Sequence, residues 1–317
     1  MEIEQSGNLS PTVERTIVHH QNDDSFFSSE SVQKRINRRI WLDWLARKVF
    51  FLSMIFALLV LGVLIVQVVR DSIGWLDIQF LTSNLSRFAE KAGIKGAIRG
   101  SAMLMLVVIP TSVIIGVATA VYLEEFAHKG RLHAFIQTNI ANLAGVPSVI
   151  FGLLGLTVFG RLFGLGSSIL AGGLTLSLLV LPTIVVASQE AIRAVPGFLR
   201  DASYGLGATH WTTIWRIVLP TAMPGILTGT ILAISRAIGE TAPLVVLGIP
   251  TLIMKLPDSI MDDFTALPIQ IYYWTLDAVL TKEYANLAAA TIIILMALLF
   301  ALNSIAIVIR NKYSHKY

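Results

Sequence analysis

Residues Asp201 to Pro220 read DASYGLGATHWTTIWRIVLP. Just upstream, Pro196 suits the first turn of a helix, where its missing N–H costs nothing. From there Phe198, Leu199, Ala202 and Leu206 fall on one apolar face, and Gly207 supplies a left-handed cap. Thr209 then caps a second helix bearing Trp211, Ile214, Trp215 and Val218 on one face, which Pro220 is expected to stop. Two short amphipathic helices joined at a glycine make a rigid knob, and a knob with an apolar face fits a groove in another protein.

The sequence on either side sets this knob against a membrane. Of 317 residues, 55% are hydrophobic and 14% charged, with a mean hydropathy of +0.71. Both fractions lie far from those of an average soluble domain, which marks an integral membrane protein. Windows of about 20 apolar residues, enough to cross a hydrocarbon core as helix, run from Phe50 to Val69, Ser101 to Tyr122, Asn142 to Phe163, Ile169 to Ala187, Ala222 to Gly248 and Leu287 to Ile309. The expected fold is therefore all-α, with six transmembrane helices, and Ser188 to Pro220 joins the fourth to the fifth. The absence of cysteine excludes a disulfide framework, a thiol nucleophile and a cysteine metal site. The His19-His20 pair lacks metal-ligand spacing.

Residues 1–40 differ from the rest. Met1 to Glu30 is polar and aperiodic, as in a disordered tail. Lys34 to Lys48 is basic, with Ile36, Ile40, Trp41, Trp44 and Leu45 at helical spacing, and predicts an interfacial helix before the first span. The first apolar run is too long and too late for a cleaved signal, so it is expected to be retained. With the N-terminus inside, inner segments hold fourteen Lys and Arg and outer ones eight, Arg15 and Arg236 being the remainder of 24. The positive-inside rule thus puts both termini, and the knob, in the cytoplasm, with the acidic stretch from Pro250 to Ala285 outside.

The fifth span carries ISRAIGETAPLVV, Ile234 to Val246. Ten Leu, Ile and Val residues between Gly225 and Gly248 contribute about -3 to -6 kcal/mol to insertion, against a cost of about 5 to 7 kcal/mol for Arg236 and Glu240 at a span centre. These nearly cancel, so the charged face belongs against protein or a watery path. Arg236 and Glu240 stand at i and i+4, where they can pair. Pro243 removes the helical donor to the Gly239 carbonyl, which marks those two residues as a hinge. Ser235 and Thr241 supply hydroxyls beside them. A planar guanidinium favours an oxyanion, and a carboxylate accepts from the O–H that phosphate retains at neutral pH and sulfate lacks. For Asn142 and Ser148, in NLAGVPSVIFGLLGL, two readings fit equally: they line the path at a broken span, or Gly145 and Pro147 serve only packing and helix initiation. Glu124 and Glu125 read as a solvated helix end.

Asp201-Ala202-Ser203, then Gly207, then Ile217, Leu219 and Pro220 resemble the EAA signature of ABC importer permeases, with Asp for Glu and Ser for the second Ala. GETAPL from Gly239 to Leu244, NLAGVPSVIFGLLGL from Asn142 to Leu156 and FTALPIQIY from Phe264 to Tyr272 resemble the PstA-type permease subunits of the Pst phosphate importer. The resemblance covers nearly all of residues 50 to 310. It implies the type I ABC importer permease fold, a permease domain from residue 41 to residue 317, and docking of the 188–220 loop on an ATPase. It also implies a PstC-type permease partner, two PstB-type ATPase subunits that use the ATP, a PstS-type binding protein, and a place in the cell inner membrane. No cofactor is expected on this chain, which lacks the GxxxxGK[ST] phosphate loop. Three alternatives are weaker. A sulfate or molybdate permease shares the EAA loop but not GETAPL with Arg236. A secondary transporter has no use for an ATPase-docking loop, and a membrane enzyme needs more converging acid, base or metal groups. If Glu240 accepts the anion's proton, Glu240→Gln is expected to impair transport; uptake at the wild-type rate would remove that role.

Overall fold

In the computed structural model, residues 30–250, 252, 253 and 256–313 are described; the tail before Glu30 lies outside them. Helix α1, Glu30–Ser72, is a single helix of 43 residues. At 1.5 Å per residue it is about 64 Å long, twice a hydrocarbon core. The basic Lys34 to Lys48 segment is therefore not a separate interfacial helix but the start of the first span. Nothing between Glu30 and Gly62 is a glycine or proline that would break it. Residues up to Val66 form one unit and those from Gln67 a second.

The second unit begins with the short helix α2, Ile78–Thr82, capped by Asp77. Helix α3, Lys95–Val121, ends in a π-helical turn, Tyr122–Phe126. Helix α4, Arg131–Leu143, precedes α5, Ser148–Leu154, which runs on as π-helix through Gly155–Leu162. Helix α6, Ile169–Arg193, is the most enclosed: 67% of its most apolar window is buried, against 39% and 33% for its neighbours α3 and the span starting at His210. Helix α7, Gly197–Gly205, and α8, His210–Thr213, form the knob, and α8 passes through the π-turn Ile214–Val218 into α9, Leu219–Gly239. Helix α10, Ala242–Val246, then α11, Leu267–Asp277, and α12, Glu283–Tyr313, complete the chain.

Two of the expected spans are not straight rods. The expected span from Asn142 to Phe163 is the second arm of a bent pair, Arg131–Leu143 and Ser148–Leu162, whose helices meet at 107°. The residue before a proline is driven out of the α region, so α4 stops and Pro147 stands at φ -55°, ψ 136° ahead of α5. The fifth span also ends early, at Gly239, because Glu240 leaves helical geometry at ψ 121°. Pro243 then lies in the first turn of α10, where it lacks nothing. Conversely, Pro220 does not stop its helix. In the π-turn Leu219 N–H reaches the Ile214 carbonyl, and Pro220 stands in the first turn of α9 while the helix runs on through it. Helix α11 lies inside a stretch expected to be loop, with Leu267 N–H held by Ser101 Oγ at 2.9 Å.

The connection between α10 and α11 is ordered by helix-end chemistry. Ile169 and Leu170 N–H, unpaired within α6, donate to the Asp262 and Ile260 carbonyls at 3.2 and 2.8 Å. Helices α6 and α9 approach through small residues: a Cβ on Gly225 would lie 2.7 Å from the Ala191 methyl, and one on Gly229 would collide with the Ala187 methyl. Two such contacts at a spacing of four on both helices bring the backbones together, the packing available where lipid removes the hydrophobic drive. Gly229→Leu is expected to cost about 1–3 kcal/mol, read as a lower unfolding midpoint in detergent; an unchanged midpoint would place the helices apart.

Candidate functional site

The α9–α10 break holds three of the six residues expected along a solute path, Arg236, Glu240 and Thr241. Arg236 stands in the last turn of α9, where the negative end of the helix dipole favours a cation. Its Nε donates to Glu240 Oε1 at 3.0 Å, so the pair forms although Glu240 is already outside the helix. The arginine side chain is 57% exposed and the glutamate 16%. Glu240 therefore holds one edge of the guanidinium, while the Nη nitrogens have no partner among the described residues and present a two-pronged donor. The Thr241 carbonyl accepts from Leu244 and Val245 N–H at 3.1 and 3.0 Å, starting α10 directly at the break.

Ser235 lies elsewhere. Its hydroxyl donates to Asn303 Oδ1 of α12 at 2.5 Å, clasping two helices rather than facing the Arg236 fork. Asn303 carries no motif in the sequence, and only the partner 68 residues away reveals it. Asn142 is exposed in the last turn of α4, and Ser148 opens α5 half-buried. The two broken segments meet further along: a Cβ on Gly152 would lie 2.8 Å from both Pro243 Cα and its carbonyl oxygen, and 2.9 Å from Val246 Cβ. Gly152 thus lets the α5 backbone rest directly on GETAPL.

At the other end of α9 the knob forms as its spacing predicts. Gly207 has φ +82°, and Thr209 Oγ1 accepts from Thr212 N–H at 3.3 Å. Ser203 is buried and shares a 2.9 Å hydrogen bond with Thr213, tying α7 to α8. Leu219 is buried and Ile217 half-buried, whereas Asp201, Ala202, Gly207 and Pro220 are exposed. Leu206 at 90% and Phe198 at 68% exposure leave an uncovered apolar tip.

Glu124 and Glu125 are not a solvated helix end. Glu124 takes Arg193 Nη2 at 2.6 Å on Oε1 and Arg193 Nε at 2.9 Å on Oε2. Glu125, 4% exposed, pairs with Arg200 of the knob at 3.0 Å. An acid pair beside an aromatic helix end reads as solvent-facing in sequence; its arginine partners lie 69 and 75 positions on.

A family profile described as the binding-protein-dependent transport system inner membrane component matches residues 112–314. The probable ABC transporter permease protein YqgI of Bacillus subtilis is 34% identical over 209 residues, covering 66% of this chain and 71% of that protein. The phosphate transport system permease protein PstA of Mycobacterium leprae is 35% identical over 278 residues, covering 84% and 87%. PstA 1 of Mycobacterium tuberculosis is 43% identical over 155 residues, about half of each chain at 49% and 51%. Among solved structures, a chain of a bacterial ABC transporter involved in the import of alginate superposes with a TM-score of 0.58 at 14% identity, covering 89% of this chain and 100% of that one. A chain of the inward-facing MetNI methionine ABC transporter gives 0.55 at 17% identity, covering 70% and 96%. These likenesses show a shared fold, that of type I ABC importer permeases.

Gly207→Val puts a β-branched residue at positive φ, a strain of about 1–3 kcal/mol. The variant is expected to insert in the membrane normally while the knob becomes more sensitive to protease than the rest of the chain; wild-type resistance would show that the cap is dispensable.

Proposed function

The chain belongs to the family of binding-protein-dependent transport system inner membrane components, and from that premise we propose that it is a permease subunit that admits inorganic phosphate to the cytoplasm. The observation that carries the substrate is the Arg236 fork, braced by Glu240 at a helix break and backed by α5. A guanidinium with two unpartnered donor nitrogens suits a tetrahedral oxyanion, and a carboxylate beside it favours one that still bears a proton. The PstA names of two relatives agree with this choice.

Energy comes from outside the chain. The exposed tip of the knob docks in a groove of a PstB-type ATPase, one of two that hydrolyse ATP, while a PstC-type permease completes the membrane part and a PstS-type protein delivers the anion. Both termini face the cytoplasm, as does the knob. The unbroken passage from α8 through the π-turn into α9 makes the knob a lever on the helix that carries Arg236. Closure of the ATPase pair tilts that helix, and the break at Glu240 and Thr241 absorbs the change as the fork turns from outward to inward.

The test is ATP-dependent uptake of labelled phosphate by vesicles holding this chain with its permease partner, ATPase and binding protein. Arsenate is expected to compete and sulfate and molybdate not to. Arg236→Ala is expected to assemble but to lose uptake by about ten- to a hundredfold, the value of one charge-assisted contact of about 1.5–3 kcal/mol. Strong competition by sulfate or molybdate would overturn the substrate, and normal uptake by Arg236→Ala would overturn the role of the fork.

A further inference from the structure

The π-helical turn Tyr122–Phe126 joins three elements through two neighbouring glutamates. Glu124 binds the last residue of α6, Arg193, through both carboxylate oxygens, and the Gln189 amide donates to the same carboxylate at 2.9 Å. Glu125 reaches the other way, to Arg200 of the knob, and Arg200 Nη2 also donates to the Ile192 carbonyl near the end of α6, at 3.0 Å, an oxygen that accepts from Val195 N–H as well. The Glu125 carbonyl lies 3.0 Å from His210 Nε2, and the other ring nitrogen of His210 lies 2.8 Å from the Tyr204 hydroxyl. Phe126 packs edge-on to the same imidazole. Both helices of the knob are therefore fastened to the ends of α3 and α6 at one point.

Stability gives little reason for an ion pair at this place. A buried pair gains about as much from attraction as it loses in desolvation, and apolar residues of similar volume often do as well. What the pair fixes is position: Arg200 Nη2 lies 3.0 Å from Glu125 Oε1, an ion pair, and donates to the Ile192 carbonyl at the same distance, so a shift of α7 disturbs both contacts. We infer that Glu125 is a positioning residue for energy coupling. Its carboxylate, acting through Arg200, locks the knob to α3 and α6, so that displacement of the knob moves the three helix ends together instead of swivelling α7 in place. Without the lock, the knob keeps its His210 and Phe126 contacts, the packing of Leu199 and the chain itself at Ala194 to Pro196 and the π-turn into α9, but loses the charged contact that joins α7 to the end of α3.

The inference rests on the reading of the chain as an ATP-driven importer subunit, and the test separates the two. Phosphate uptake and ATP hydrolysis are measured together in vesicles holding the full complex, for wild type, Glu125→Gln, and the exchange Glu125→Arg with Arg200→Glu. Glu125→Gln is expected to assemble and hydrolyse ATP but to carry about tenfold less phosphate per ATP, and the exchange to recover most of that ratio. A wild-type ratio in Glu125→Gln overturns the inference. So does failure of both variants to assemble, which assigns the pair to folding alone. Wild-type vesicles that take up no phosphate with ATP overturn the importer reading, and the inference with it.

Discussion

Hydrocarbon offers no hydrogen bonds, so a backbone that leaves helical geometry at membrane depth must be covered by protein. The two broken segments leave helical geometry at residues 144–147, of which 144, 145 and 147 are exposed, and at Glu240 and Thr241, which are half-buried. Each break is brief because a short helix restarts at once, at Ser148 and at Ala242. The restarted pieces then cover one another, α5 lying on the Pro243 backbone with only the α-hydrogens of Gly152 between them. A larger residue at 152 would hold the two segments apart. The arginine fork belongs to the same arrangement: α9 ends three residues after Arg236, whose side chain is left 57% exposed.

Rigidity and compliance alternate along α9. Its middle is pinned to α6 by glycine against alanine, where the helices cannot slide without first separating. Its two ends are irregular, a π-turn at Ile214–Val218 and a break after Gly239. Helix α9 is thus held fast in its middle and irregular at both ends.

Much of this was legible in the sequence where the cause is local. Thr209 caps, Gly207 takes positive φ, and Arg236 pairs with Glu240, because each depends on residues within four positions. The failures share another cause. Pro220 predicts a stop by the rule for α-helices, but the helix runs on through it after the π-turn. Asn142 to Phe163 is apolar enough for a span, and hydropathy is blind to the 107° corner that Pro147 imposes. Ser235, Glu124 and Glu125 were misplaced because their partners Asn303, Arg193 and Arg200 are distant in the chain. Polar residues declare their chemistry in sequence, but what they face is settled by packing.

The early end of α9 also bears on how the protein enters the membrane. The cost of an arginine and a glutamate, about 5 to 7 kcal/mol, applies to ionised groups at the centre of an inserting helix. Here Arg236 is three residues from the end of a helix that began at His210, and Glu240 lies beyond it. The insertion machinery therefore meets a largely apolar rod with Arg236 in its last turn, where the negative end of the helix dipole favours a cation. A residue pair that looks prohibitive when averaged over the whole apolar run becomes tolerable once the run is seen to be two helices, and the chain gains a charged site without giving up its means of reaching the bilayer.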